Sequence, residues 1–287
     1  MLHGLSDDLL RSPALARFHG AVDLVFTSPP FPLNRKKRYG NLKGEEYLEW
    51  LSAFGSPLKD ILKPDGSIVL ELGNAWEQGS PVMSTLPVRA LLKFQEDNNF
   101  FLCQEFIWQN PAKLPSPAQW VNVDRIRVKD SFTKIWWLSP SRKPKADNRR
   151  VLKQYSAAMK SLLRDGTYNS GKRPSQHNIG EKSFLTDNGG AIPGSVLTYA
   201  NTHATDDYQL FCKNNNIELH PARMPIELAQ FFIQFLTEPG DLVLDPFAGT
   251  NTTGAAAETL GRYWLGIEAE IKYIEGSKGR FGNIPLT

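Results

Sequence analysis

The chain has 287 residues, enough to bury a full hydrophobic core as one large domain or two smaller ones. A hydrophobic share of 41% and a charged share of 22% are ordinary for a globular protein, and no apolar run approaches the roughly 18 residues of a membrane span. The net charge of +3 announces no polyanionic partner by itself, so the placement of the basic residues matters more than their number.

Residues 22–26 read as an apolar strand, residues 44–62 carry apolar side chains at helical spacing, and Lys63-Pro64-Asp65-Gly66 forms a turn before a strand at 67–72. This is a βαβ pattern, and its nearly continuous apolar strands predict a parallel sheet covered on both faces. Two more strands are predicted at 100–108 and 132–138, with Trp136 and Trp137 reading as core rather than as a stacking platform. From 141 to 196 eleven basic residues face four acidic ones, about +7, in a stretch rich in Asn, Ser and Gly with weak periodicity. Such a stretch is either a solvated insertion or a nucleic-acid-binding segment. Order returns with a helix at 225–236, where Pro225 suits the first turn, a strand at 241–244, a small-residue helix at 253–257 and a strand at 263–268.

Asp245-Pro246-Phe247-Ala248-Gly249-Thr250-Asn251-Thr252-Thr253-Gly254 lies where a strand ends and a helix begins, the crevice in which open parallel sheets bind ligands. Gly249 lets the backbone approach a ligand closely, and Asn251 tolerates the left-handed region. Glu268 stands 19 residues after Gly249, at the next strand tip, where a carboxylate accepts hydrogen bonds from ribose hydroxyls. The turn is not G-x-G-x-x-G, and Asp245 would repel a pyrophosphate, which argues against a dinucleotide. An adenosyl ligand bearing a sulfonium and an amino-acid end suits the loop better.

Thr27-Ser28-Pro29-Pro30-Phe31 leaves the strand at 22–26 directly. Two prolines fix φ near −65° and remove two N–H donors, giving a stiff loop whose carbonyls face outward. Alone, such a loop is a rigid strand exit. Beside a cofactor crevice it suits an aromatic amine, a poor nucleophile because its lone pair is delocalised into the ring. Ser28 Oγ and the Pro29 carbonyl would accept its N–H groups and hold the nitrogen closer to tetrahedral, while Phe31 offers a face for an extruded base.

These motifs resemble the amino-group DNA methyltransferases of the β arrangement, in which the catalytic motif precedes the cofactor motif. The catalytic loop, the segment His220-Pro221-Ala222-Arg223-Met224-Pro225 and the loop from Asp245 to Gly254 match in type and order, and Lys63-Pro64-Asp65-Gly66 matches a further family segment. Ser-Pro-Pro-Phe followed by Arg35-Lys36-Lys37-Arg38-Tyr39-Gly40-Asn41 is most similar to the PvuII-type N4-cytosine methylases; N6-adenine members usually carry Asp or Asn where Ser28 stands. The resemblance implies an α/β fold with a Rossmann-like S-adenosylmethionine-dependent methyltransferase sheet and a smaller target-recognition region. It implies a catalytic part at 1–140, target recognition at 141–219 and a cofactor part at 220–287. Ser28, Pro29, Pro30 and Phe31 would hold the target base. Asp245, Pro246, Phe247, Gly249, Asn251, Thr252 and Glu268 would line the S-adenosylmethionine site, with Pro221 and Pro225 near its methionine end. Two departures stand out: Asn251 replaces a second glycine usual in the cofactor loop, and the segment Leu2-His3-Gly4-Leu5-Ser6 starts nearly at the chain start.

The resemblance implies site-specific methylation of N4 on a flipped cytosine in double-stranded DNA, as the modification enzyme of a restriction–modification system whose endonuclease is no stable subunit. The alternatives are N6-adenine methylation on the same fold, an inactive DNA-binding regulator with a relic methylase fold, and methylation of RNA or protein. Arg35, Lys36, Lys37 and Arg38 next to a base-flipping loop suit phosphate contact, which fixes position but not sequence. No general base is apparent. The five histidines show no metal spacing, and methyl transfer needs no metal. Cys103 and Cys212 sit in apolar settings as buried thiols, neither in the Pro-Cys dipeptide of a cytosine-C5 methylase. With no signal-peptide pattern, the chain reads as cytoplasmic.

Overall fold

A mixed sheet of eight strands organises the larger of two units in the computed structural model, which describes residues 1–31, 42, 44–201 and 206–282. The larger unit comprises Met1–Ala146 and Ser195–Thr287, the smaller Asp147–Gly194. In chain order the first part of the larger unit supplies β1 (Leu2–His3), α1 (Ser6–Leu9), β2 (Val22–Thr27), α2 (Gly44–Ser52), α3 (Gly55–Ile61), β3 (Leu62–Leu72), α4 (Leu86–Asn98), β4 (Phe101–Gln109) and β5 (Phe132–Ser139). The smaller unit carries α5 (Ala157–Asp165), β6 (Gly171–Lys172) and β7 (Asn178–Ile179). The larger unit resumes with β8 (Val196–Thr198), α6 (Asp207–Asn214), α7 (Ile226–Leu236), β9 (Leu242–Asp245), α8 (Thr252–Thr259), β10 (Tyr263–Glu268) and α9 (Ile271–Ser277).

The strand order is β1-β10-β9-β2-β3-β5-β4-β8. Neighbours pair in parallel, except that β5 runs antiparallel to both β3 and β4. All six residues of β2 are buried, as a central strand covered on both faces requires. Trp136 and Trp137 are 1% and 7% exposed, core residues as expected. Cys212 is buried too, but Cys103 is only half-buried, because β4 carries a register irregularity between Leu102 and Gln104 that turns it partly outward.

Two local details differ from the sequence reading. The helical stretch at 44–62 is two helices: Pro57 has no N–H to give the Ala53 carbonyl, which Arg11 takes instead at 2.8 Å. The Lys63-Pro64-Asp65-Gly66 turn is a bulge inside β3, since Val22 pairs with Leu62 but Leu24 with Ser67. Buried Asp23 fastens that bulge by accepting from Lys63 Nζ at 2.7 Å and the Leu242 N–H at 3.0 Å.

The smaller unit buries no large apolar side chain among the described residues and is held by local ties. Ser156 caps α5 by accepting the Met159 N–H at 3.2 Å, Gly166 ends it in the left-handed region, and Tyr168 meets Phe184 edge-on at 5.3 Å. No helix among the described residues is long and apolar enough to cross a membrane.

Candidate functional site

The C-terminal ends of β2, β3, β9 and β10 lie on one edge of the sheet, because these strands are parallel neighbours. That edge gathers Ser28 after β2, Glu71 near the end of β3, Asp245 closing β9 and Glu268 closing β10. Such an edge is where open α/β sheets bind ligands.

Asp245 is 6% exposed and accepts from Thr27 Oγ1 at 2.8 Å, Thr253 Oγ1 at 2.6 Å and the Phe247 N–H at 3.0 Å. Burial nevertheless pushes its carboxyl up to about 6, with the nearby Glu268 charge adding to the rise. Glu268 is raised by burial as well, although it accepts the Gly249 N–H at 2.7 Å and the Glu270 N–H at 2.9 Å. The Ala269 backbone also donates to it, and of the carboxylate's roughly four lone-pair sites about one is left for a further donor. Gly249 sits at φ 51°, a backbone that suits glycine. A side chain there would also stand 3.5 Å from the His220 ring.

Asn251 adopts φ 55° and ψ 41° at the N-cap of α8, fully buried, with Oδ1 accepting the Gly254 N–H at 3.1 Å and Nδ2 without a partner among the described residues. Thr252 is buried beside Thr250, their hydroxyls 3.1 Å apart. Pro246 gives its carbonyl to the Ser6 hydroxyl, tying the N-terminal segment to this loop. Phe247 packs on Trp50 and Phe54, ring centroids 5.7 and 5.2 Å away. Pro225 is buried as the N-cap of α7 rather than in its first turn, and Pro221 is exposed next to His220.

On the other side of Asp245, Pro29 is buried, and Tyr47 donates to the Pro30 carbonyl at 2.9 Å, pinning the stiff loop to α2. Phe31 lies against the backbone of Gly73, where a Cβ would fall 2.5 Å from the ring. Arg35, Lys36, Lys37 and Arg38 lie outside the described residues.

Glu71, absent from the sequence reading, is 3% exposed and receives a hydrogen bond from the Ser28 side chain. Thr27 pairs with Leu70, which sets residues 28 and 71 side by side. Burial raises the Glu71 carboxyl to about 7, against the lowering effects of the Ser28 bond and the Lys113 charge. The available signal was a single acid within the apolar run Ile68-Val69-Leu70-Glu71-Leu72, since a charge inside a doubly covered strand needs a reason. Thr27 and Thr253 lie within loops the sequence singles out, but their hold on Asp245 was not read from it.

Three carboxylates thus crowd one edge, and the Lys113 charge acts on Glu71 against the rise. The donor set fits a ligand that brings positive charge to Asp245 and a hydroxyl donor to Glu268. Among the described residues no cluster of three or more His, Cys, Asp or Glu could hold a metal ion.

A family model described as DNA methylase matches residues 22–279. Type II methyltransferase M.PvuII of Proteus hauseri is 46% identical over 263 residues, covering 91% of this chain and 78% of that protein. The solved structure of PvuII DNA methyltransferase (cytosine-N4-specific) matches with a TM-score of 0.77 and 38% identity, over 99% of this chain and 86% of that one. The M1.HpyAVI–SAM complex shares the fold, with a TM-score of 0.58 at 18% identity over 98% of each chain.

Proposed function

The chain belongs to the DNA methylase family, and from that premise we propose that it transfers a methyl group from S-adenosylmethionine to N4 of an extruded cytosine in double-stranded DNA. The observation that carries this reading is the Ser28 hydroxyl, held by a buried Glu71 on a stiff Pro-Pro loop one strand away from Asp245. Bound S-adenosylmethionine supplies a methyl group on a sulfonium, which departs as the neutral thioether of S-adenosylhomocysteine. Asp245 and Glu268, raised by burial, answer its positive charge and a ribose hydroxyl, while Phe247 and Gly249 shape the crevice. Pro246, Asn251 and Thr252 hold the loop in form, and Pro221 and Pro225 belong to the segment at the methionine end.

Ser28 Oγ and the Pro29 carbonyl accept the two N–H groups of the target amine, turning its lone pair away from the ring. Pro30 stiffens the loop, and Phe31 stacks on the base. As the N–C bond forms, the amine becomes acidic. Its proton passes to Ser28 Oγ while the Ser28 proton passes to the Glu71 carboxylate, whose value of about 7 suits an acceptor at neutral pH. Serine at position 28, together with the identity to M.PvuII, favours cytosine over adenine.

The segment 141–219 acts as the target-recognition region between a catalytic part at 1–140 and a cofactor part at 220–287. It includes the smaller unit, in which eight basic residues face four acidic ones. Arg35, Lys36, Lys37 and Arg38 grip phosphates beside the extruded base. The protein works in the cytoplasm as the modification half of a restriction–modification pair, with the endonuclease sharing its site but not its quaternary structure.

Labelled cofactor incubated with duplex DNA, RNA and protein, followed by nucleoside mass spectrometry, tests the reading. N4-methylcytosine from duplex DNA is expected. N6-methyladenine would move the target to the other base, label in RNA or protein would move the substrate class, and DNA affinity without label would mark a relic.

A further inference from the structure

Residues 110–131, which connect β4 to β5, have no part in the roles above apart from the Lys113 charge on Glu71. Register places them: Gln109 pairs with Phe132, and Lys134 pairs with Leu72 at the end of β3. The segment therefore springs from the edge that carries Ser28 and Asp245. Its backbone is ordered by specific ties. The Asn110 N–H donates to the Ser131 carbonyl at 2.9 Å, and Asn74 and Lys113 donate to the two oxygens of Asp130 at 2.8 and 2.9 Å. Arg127 lies 3.4 Å over the Trp76 ring and donates to the Pro81 carbonyl at 2.9 Å. Gln119–Val123 form a single π-helical turn, and Arg125 is held in the left-handed region at φ 56°, a conformation that persists only when its surroundings impose it.

This well-tied backbone faces apolar side chains outward. Val128 at 87% and Leu114 at 80% are the most exposed large apolar side chains among the described residues, and Val123 and Ile126 beside them stand at 66% and 61%. Arg125 and Lys129, both exposed, stand among them. Lys113, Arg125, Arg127 and Lys129 outnumber Asp124 and Asp130 within the segment. Lys129 donates to the Pro111 and Lys113 carbonyls at 3.4 and 3.3 Å, so its ammonium is held at the tip. An apolar tip flanked by cations does not match water, and an ordinary apolar partner would bury the Arg125 charge without an answer.

We propose that the 110–131 loop is a second DNA-contacting element, whose apolar tip packs against the bases left beside the extruded nucleotide while Arg125 and Lys129 meet the flanking phosphates. The proposal rests on the DNA methylase reading above. Extrusion opens a gap lined by flat apolar base faces and bordered by phosphates, and small aliphatic wedges between cations suit both surfaces at once. Position supports the assignment, because Lys113 at the loop base acts on Glu71 and Asn74 follows the Gly73 that meets Phe31.

The test uses the full chain carrying Ile126→Ser and Val128→Ser together, both exposed positions at which folding can be checked by thermal melting. Single-turnover methylation is measured on a paired duplex and on a duplex whose target base faces an abasic site, where extrusion is easier. The variant should lose ~10-fold or more on the paired duplex and change less than ~3-fold on the abasic one. Unchanged rates on both duplexes, or equal losses on both, would overturn the proposal. A wild-type chain that self-associates through this tip and a variant that stays monomeric would assign the surface to a second copy instead. A wild-type chain that methylates neither duplex would sink the methylase reading itself, and this proposal with it.

Discussion

The Ser28 hydroxyl donates to the carboxylate of Glu71, which is 3% exposed and lies on the strand next to its own. In the proposed mechanism this pairing is what lets Ser28 pass on a proton. Glu71 must be ionised to receive it, so the chemical rate should rise with pH through about 7, the position to which burial raises this group. Glu71→Gln should flatten that step and lower the single-turnover rate by ~10²-fold or more, the usual share of a proton acceptor. Rates between pH 5.5 and 8.5 at saturating cofactor and DNA check this; an unaltered profile in the variant would count against the relay.

Asp245 carries the same logic into stability. Its carboxyl is near 6 in the folded chain against an ordinary 3.8, so the folded protein holds the proton more tightly than the unfolded one. The stabilisation from that proton is fully present below about 3.8 and is lost as pH rises through about 6. Asp245→Asn should therefore raise the stability of the ligand-free protein at pH 8 by up to about 3 kcal/mol. The same variant should bind S-adenosylmethionine at least ~30-fold more weakly, since a cation loses its counter-charge. Melting curves and titration calorimetry read the two effects, whose opposite signs separate a ligand-binding role from a structural one.

Gly73 sets the position of Phe31. A methyl group there would fall 2.5 Å from the ring, and the backbone of the strand exit cannot retreat without disturbing Asn74. Gly73→Ala should displace Phe31 and lower the methylation rate by ~10-fold or more, with cofactor affinity within ~3-fold of wild type. Parallel loss of cofactor binding would show that the ring does not act on the base alone.

Asn251 at φ 55° combines a left-handed backbone with a helix cap. Asn251→Ala removes the cap and strains the backbone, at a cost of about 1–2 kcal/mol. Asn251→Gly loses only the cap, and should cost well under half of that in denaturant unfolding.

Much of this architecture was readable because its signals are local. The cofactor loop follows an apolar strand, bends at Gly249 and caps its helix with Asn251, and each of those residues declares its conformation by type. Pro29 and Pro30 announce a stiff strand exit in the same way. What escaped depends on register. Glu71 is one acid in an apolar run, and its meaning appears only when Thr27 pairs with Leu70 and sets it beside Ser28. Thr27 and Thr253 hold Asp245 from a neighbouring strand and from the helix it leads into. Lys63-Pro64-Asp65-Gly66 reads as a terminating turn, but the chain keeps pairing around it because Asp23 fastens the bulge from β2. The break between α2 and α3 was visible in principle, since Pro57 leaves the Ala53 carbonyl to Arg11.

The most direct test is the single-turnover rate of Ser28→Ala at saturating cofactor and duplex DNA, measured beside its dissociation constant for S-adenosylmethionine. A rate at least ~100-fold below wild type, with cofactor affinity within ~3-fold, is the predicted result, because the proposed role of Ser28 is to hold the reacting amine and not to line the cofactor loop. A variant that methylates cytosine at the wild-type rate would contradict the account.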